Sequence, residues 1–263
     1  MTAPPPLPPL EKEAAPAGAR RILLTLSYDG AAYGGWQIQR NAVSVQQRLE
    51  EALHQITGES IRVTGASRTD AGVHALGQRA HFDTASRIPP EKYPFALNTR
   101  LPRDIRVLEG QEAHSGFHAR FDAKSKLYTY RIYNAPHASA LQRDLCAHVP
   151  QPLDAQAMAR SLPSLLGTHD FAAFQAAGGT AKTTTRTLYE AALAQDGPWL
   201  TLTVSGNAFL YNMVRIIAGT LIQIGQGKLP PTAFEEALKT KSRLSLGVTA
   251  PASGLELTRI SYE

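Results

Sequence analysis

Cysteine is almost missing from this sequence: Cys146 stands alone among 263 residues. One thiol cannot build an intrachain disulfide framework, nor a multi-cysteine zinc or iron–sulfur cage. A reducing, cytoplasmic setting suits such a chain. Long apolar runs are missing as well. A membrane span needs roughly 18 uninterrupted apolar residues. The most hydrophobic stretch, Phe209 to Ile224, is broken by Asn212, Arg215, Thr220 and Gln223. No membrane insertion is expected. Neither G-x-G-x-x-G nor G-x-x-x-x-G-K-[ST] occurs, so nothing supports a dinucleotide site or a P-loop. Gly225-Gln226-Gly227-Lys228 lacks the P-loop spacing and reads as a helix end. Gly65-Ala66-Ser67 begins like a nucleophile elbow, but Thr69 stands where the final glycine belongs. His114 and His118 have the spacing of metal ligands without the glutamate of H-E-x-x-H, and they sit beside Gly116. Neither a metal nor a cofactor is expected.

Acidic residues are in deficit. Lys+Arg 27 against Asp+Glu 22 gives a formal charge of +5, and the isoelectric point is about 9.4. That balance leans towards a polyanionic partner, although a basic enzyme would show it too. With 43% hydrophobic and 19% charged residues, the chain is globular, with one large domain or two small ones.

Six of the eighteen prolines fall within residues 1–19. That segment has no cationic stretch leading into an apolar one, so it reads as an extended, disordered tail and not a secretory signal. From Arg20, Ile22, Leu24 and Leu26 alternate as in a strand. Val45, Leu49, Ala52, Leu53 and Ile56 form the stripe of a helix over 45–56, with Ser44 and Gln47 as a capping box and Gly58 beyond its end. Strands are expected at 61–64, 78–83 and 105–108, with a short helix at 91–98 between the last two. The order then repeats. A strand at 125–133 precedes a helix at 154–166, which Pro163 should end or bend. Strands at 186–194 and 199–205 flank a Gln195-Asp196-Gly197-Pro198 turn. A helix over 209–224, another capped by Thr232 and Glu235, and a strand at 255–262 complete the chain. Two β-α-β-β-α-β units predict an α+β fold of tandem ferredoxin-like halves, residues 20–112 and 113–263. Their mainly antiparallel sheets would join, leaving a central cleft. The segment 176–187 reads as a mobile loop with Lys182 and Arg186 on its edge.

Three constellations carry chemistry. The first is Gly65 to Ala75, a loop after a strand in which Arg68 and Asp70 are the only charged residues. A carboxylate held there can act as nucleophile or general base, or simply cap backbone N–H groups. The second is 113–133, where Arg120, Lys124, Lys126 and Arg131 are interleaved with Phe117, Phe121, Tyr128, Tyr130 and Tyr133. Cations on phosphate and aromatic faces on bases make a nucleic-acid footprint, though a half-buried amphipathic strand would look similar. The third is Arg215 in an otherwise apolar helix. It either finds a partner, Asp70 among the candidates, or snorkels to solvent.

Together these segments resemble the TruA family of tRNA pseudouridine synthases. The resemblance runs from about Ile22 to Tyr262. It is carried by Tyr28-Asp29-Gly30 with Gly35-Trp36-Gln37, and by Arg68-Thr69-Asp70-Ala71-Gly72-Val73-His74-Ala75. It continues through Phe117-His118-Ala119-Arg120-Phe121, Tyr128-Thr129-Tyr130, Gly167-Thr168-His169-Asp170-Phe171 and Asn207-Ala208-Phe209. Met213-Val214-Arg215 and Thr249-Ala250-Pro251 with Gly254-Leu255 complete it. Ser67, where glycine is frequent, and Leu244-Ser245-Leu246-Gly247, where Ala-Gly is commoner, depart from the pattern. The resemblance implies conversion of uridine to pseudouridine at tRNA positions 38, 39 and 40, without cofactor or metal, by a homodimer with no DNA or membrane partner. It implies Asp70 as the catalytic aspartate and Arg215 as its ion-pair partner, keeping Asp70 ionised at neutral pH. Tyr128 would stack on the target base, Arg68 would assist base flipping, and Leu255 would line the pocket. A non-catalytic RNA-binding module, or a synthase of this fold acting on other RNA sites, is the alternative.

Overall fold

The structure is a computed structural model and describes residues 12–263. Strand β1 (Arg20–Tyr28) opens the sheet, with Ile22, Leu24 and Leu26 fully buried. Helix α1 (Val45–Thr57) buries Val45, Leu49, Ala52 and Leu53 along the predicted stripe. Each of its buried leucines contributes about 1.5–3 kcal/mol by leaving water. Its capping box is half formed. Ser44 Oγ accepts from the Gln47 N–H at 3.2 Å, but the Gln47 side chain donates to Glu51 at 2.9 Å instead of returning to the cap. Gly58, left-handed at φ 74°, closes the helix.

Strands β2 (Thr64–Gly65) and β3 (His74–Thr84), helix α2 (Tyr93–Asn98) and strand β4 (Ile105–Ala113) complete the first half. The strand expected at 61–64 shrinks to two residues, because only Thr64 and Gly65 find partners on β3. The second half holds β5 (Ser125–Tyr133), the short β6 (Ala147–His148), α3 (Ala155–Ser161), β7 (Gly167–Asp170), β8 (Thr185–Asp196) and β9 (Trp199–Gly206). It ends with α4 (Met213–Gly225), α5 (Ala233–Thr240) and β10 (Leu255–Ser261). Pro163 does end the α-helical part of its segment, and residues 162–165 tighten into a 3₁₀ turn.

Two helix starts differ from expectation. Asn212 adopts φ 60°, so α4 begins at Met213 and not at Phe209. The left-handed residue turns the preceding chain away from the helix axis and leaves Phe209 outside it. Thr232 makes no side-chain cap; Glu235 and Glu236 instead occupy the first turn of α5, where the helix dipole favours negative charge.

The fold is α+β, with a ten-stranded, mostly antiparallel open sheet ordered β4-β1-β3-β10-β5-β9-β8-β7; β2 pairs with β3 and β6 with β5. In each half the four main strands lie side by side in the order fourth, first, third, second: β4-β1-β3-β2 and β10-β5-β9-β8. The halves meet where β3 and β10 run parallel, with His74 opposite Glu256 and Ala75 opposite Leu257. Gly77 on β3 faces the Thr258 carbonyl so closely that no Cβ would fit. Helices pack in pairs, α1 with α2 and α3 with α4, and α4 also rests on β5. Among the described residues no helix is long and apolar enough to cross a membrane.

Of the expected tail, residues 1–11 lie outside the described ones. Residues 12–19 are held on the body: Lys12 pairs with Asp122 at 2.6 Å, Ala15 N–H donates to the Ser115 carbonyl, and Arg21 donates to the Glu13 carbonyl.

Candidate active site

Asp70 lies in the loop between β2 and β3, and the residues around it are tied down on both sides. Gln78 clamps Ser67, accepting from its N–H at 3.2 Å and donating to its carbonyl at 2.7 Å. The Tyr28 and Thr69 hydroxyls share a 2.7 Å hydrogen bond. Trp36 N–H donates to the Thr69 carbonyl at 3.0 Å, and Val73 N–H donates to that of Asp70 at 3.1 Å. Gly35 sits at φ 100°, where a Cβ would lie 2.6 Å from the Thr69 carbonyl oxygen. The Gly35-Trp36 turn is therefore the floor of the Asp70 loop, and only glycine allows that approach.

The loop ends at His74, where β3 meets β10, and this seam collects the site. Leu255, buried, opens β10 opposite Tyr130, and Leu257 lies opposite Tyr128. Tyr128 is buried; its hydroxyl lies 2.9 Å from Ser67 Oγ, and its ring packs edge-to-face with Phe209 at 5.1 Å. Burial, with a smaller contribution from the Asp70 charge, pushes the Tyr128 phenol up to about 12, against the lowering effect of the Ser67 bond. Tyr128 is thus a neutral hydrogen-bonding group at physiological pH.

Arg215, half-buried on α4, donates from Nε to the Ala250 carbonyl and from Nη1 to Asn212 Oδ1, both at 2.8 Å. These bonds orient the guanidinium through Nε and Nη1, and no direct ion pair with Asp70 forms among the described residues. The attraction still acts through space. Asp70 is shifted upward because burial outweighs the lowering pull of Arg215. Arg215 thus acts in the expected direction, favouring the ionised carboxylate, while burial opposes it and is the larger effect. Arg68 is exposed beside Asp70, and its charge adds to the burial that pushes Arg120 down.

The structure adds contacts around the site that the sequence does not reveal, and one residue, Gln78, that sequence reasoning missed. Ser67 links the Asp70 loop to Tyr128, and Gln78 links it to β3; their only signal was nearness to the motif. Lys126, two residues before Tyr128 on β5, donates to the Ala66 carbonyl at 2.9 Å and to Ser67 Oγ at 3.4 Å. Burial, Arg120 and Arg186 together hold its ammonium down at about 8. Arg186 is not on a mobile loop: it lies in β8, paired with His169 of β7. His118 is buried, and its Nδ1 accepts from the backbone N–H groups of Arg120 and Phe121 at 3.1 and 3.2 Å. In this structure it shapes a turn.

A clamped loop thus presents one half-buried carboxylate at the same seam as a buried tyrosine, with Arg68, Lys126 and Arg215 around them. The chain belongs to the tRNA pseudouridine synthase family, whose model matches residues 25–122 and 162–263. It is similar to tRNA pseudouridine synthase A of Ruminiclostridium cellulolyticum, 49% identical over 245 residues, covering 92% of this chain and all of the relative. It is also similar to the protein of that name from Halalkalibacterium halodurans, 47% identical over 237 residues and 90% of each chain. The Brevibacillus brevis protein of that name is 44% identical over 243 residues, 92% of this chain and 100% of its own.

Proposed function

We propose that this protein is an isomerase that converts uridine to pseudouridine in tRNA, at positions 38, 39 and 40 of the anticodon arm, with Asp70 as its essential group. The observation that carries this reading is the clamped loop holding the half-buried Asp70 beside Tyr128 at the seam, in a chain of this family. In the reaction the N1–C1′ bond breaks, the uracil turns, and C5 bonds to C1′; the C5 proton leaves and N1 gains one. An ionised carboxylate serves each available route: attack on C1′, attack on C6, or proton abstraction. Arg215 stabilises the ionised form from a distance. A base in a stem must leave its stack at a cost of a few kcal/mol. Arg68, exposed at the loop, is suited to fill the vacated space, Tyr128 to receive the base, and Leu255 to wall the pocket.

The strand order in each half supports two ferredoxin-like halves, residues 20–112 and 113–263, with the cleft at their seam. We further propose a homodimer acting in the cytoplasm on tRNA, with no DNA or membrane partner and no cofactor. Light scattering of the purified protein checks the dimer.

Asp70→Asn tests the core of the reading. Tritium release from C5-labelled uridine in tRNA is expected to stop, while tRNA retention in a gel shift stays near wild type. A folded variant releasing tritium at the wild-type rate overturns the catalytic assignment. It would favour a binding module, and mapping the modified uridines tests the positions.

A further inference from the structure

Three cations near the Asp70 loop, Arg120, Lys126 and Arg186, form no ion pair among the described residues. Lys126 lies opposite Gly206 on β9, and Gly206 lies opposite Leu188 on β8. Side chains opposite one another share a face, and so do residues two apart. Lys126 and Arg186 therefore project from one side of the sheet, with Gly206 between them covered by the buried Leu188 and by Phe209. The Lys126 ammonium spends two donors on Ala66 and Ser67, which leaves a third. Arg186 donates from Nη1 to Thr183 and Thr185, while its Nε is buried without a partner. Arg120 makes no side-chain hydrogen bond or ion pair among the described residues, yet its backbone is fixed by the His118 ring and by the Asp122 carboxylate under His118. Arg120 and Arg186 both press on the Lys126 charge.

Like charges brought together and partly desolvated cost free energy until an anion arrives. We infer that Arg120, Lys126 and Arg186 form a seat for one phosphodiester of the RNA backbone, next to the nucleotide presented to Asp70. This inference rests on the proposed reading of the site. A phosphodiester offers one negative charge and two free oxygens, which a guanidinium can take in pairs while the ammonium takes a third contact. Held through Lys126, which grips the Asp70 loop, the phosphate would set the position of its own ribose relative to the carboxylate.

The test is a double substitution across the interface, read as binding. A tRNA anticodon arm is prepared with single neutral methylphosphonates stepped along its backbone. Wild-type protein is expected to lose about tenfold in affinity at one linkage flanking the target uridine. Arg120→Ala, an exposed side chain whose loss leaves no bond broken, should bind the unmodified arm about tenfold more weakly and lose nothing further at that linkage. Arg186→Ala should do the same, and the pair together should lower the log–log salt slope by about one, not two. Variants that lose as much at that linkage as wild type would overturn the seat. So would the absence of any sensitive linkage. If inorganic phosphate raises the melting temperature of wild type but not of Arg120→Ala, while no linkage is sensitive, the seat serves a free anion and the RNA assignment falls. Tritium release by wild-type protein is measured in parallel. Its absence would sink the activity and leave the phosphate measurement readable.

Discussion

The carboxyl of Asp70 is governed by two opposed influences of unequal size. Burial raises it and Arg215 lowers it, with burial the larger. The folded protein therefore favours the protonated acid more than an unfolded chain does. The sign for stability follows: an upward-shifted carboxyl makes the folded state less stable as pH rises through the window above the ordinary value of 3.8. Asp70→Asn removes that cost and is expected to melt at or above the wild-type temperature at neutral pH, as calorimetry would show. Activity needs the ionised form, so the acid limb of kcat/KM should lie above the ordinary carboxylate range. Arg215→Ala should push that limb to higher pH, because only burial then acts on Asp70. An acid limb that stays in place would argue against coupling between the two. Asp70, Tyr128 and Arg215 were legible in the sequence because the motif names residue types at fixed spacing. The bonds of Arg215 to Ala250 and Asn212 were not, since those partners meet it only in three dimensions. That Lys126 and Arg186 form no ion pair among the described residues was hidden for the same reason.

Elements built on local signals could be read directly. Helix α1 follows its stripe, its Ser44 cap and its terminal Gly58, and β5 and β9 follow their alternation. Replacing Ser44 with alanine should cost about 1 kcal/mol. Elements that depend on one residue's backbone state, or on a distant partner, could not be read. The left-handed Asn212 delays α4, and β6 has two residues, set by parallel pairing with the distant Ile132 and Tyr133. The Gly35 turn belongs to this second kind. Gly35→Ala combines a φ of 100° with a collision against the Thr69 carbonyl, at a cost of about 1–3 kcal/mol in strain. The variant should melt lower in denaturant titrations and lose kcat more than tRNA affinity, because the displaced group is the floor under Asp70. Equal loss of both would mean that the turn serves general stability alone.

At the scale of the whole molecule, the strands of the two halves are stitched in register at two residue pairs, His74 with Glu256 and Ala75 with Leu257, backed by side-chain bonds such as Lys126 to Ala66. The site straddles that stitch: Asp70 hangs from one side, Tyr128 and Leu255 stand on the other. Gly77→Val should wedge the stitch open against the Thr258 backbone. Turnover should fall by more than stability, measured as tritium release against melting temperature. The order of the strands along the chain gives the stitch a meaning in time. The partner that β3 needs at His74 is β10, which follows it by some 170 residues and is the last strand to be made. A ribosome feeding this chain out from its N-terminus releases the Asp70 loop early and its opposite wall late. Throughout synthesis the nascent polypeptide carries Asp70 without the strand that bears Leu255, and the proposed site closes only when that strand docks.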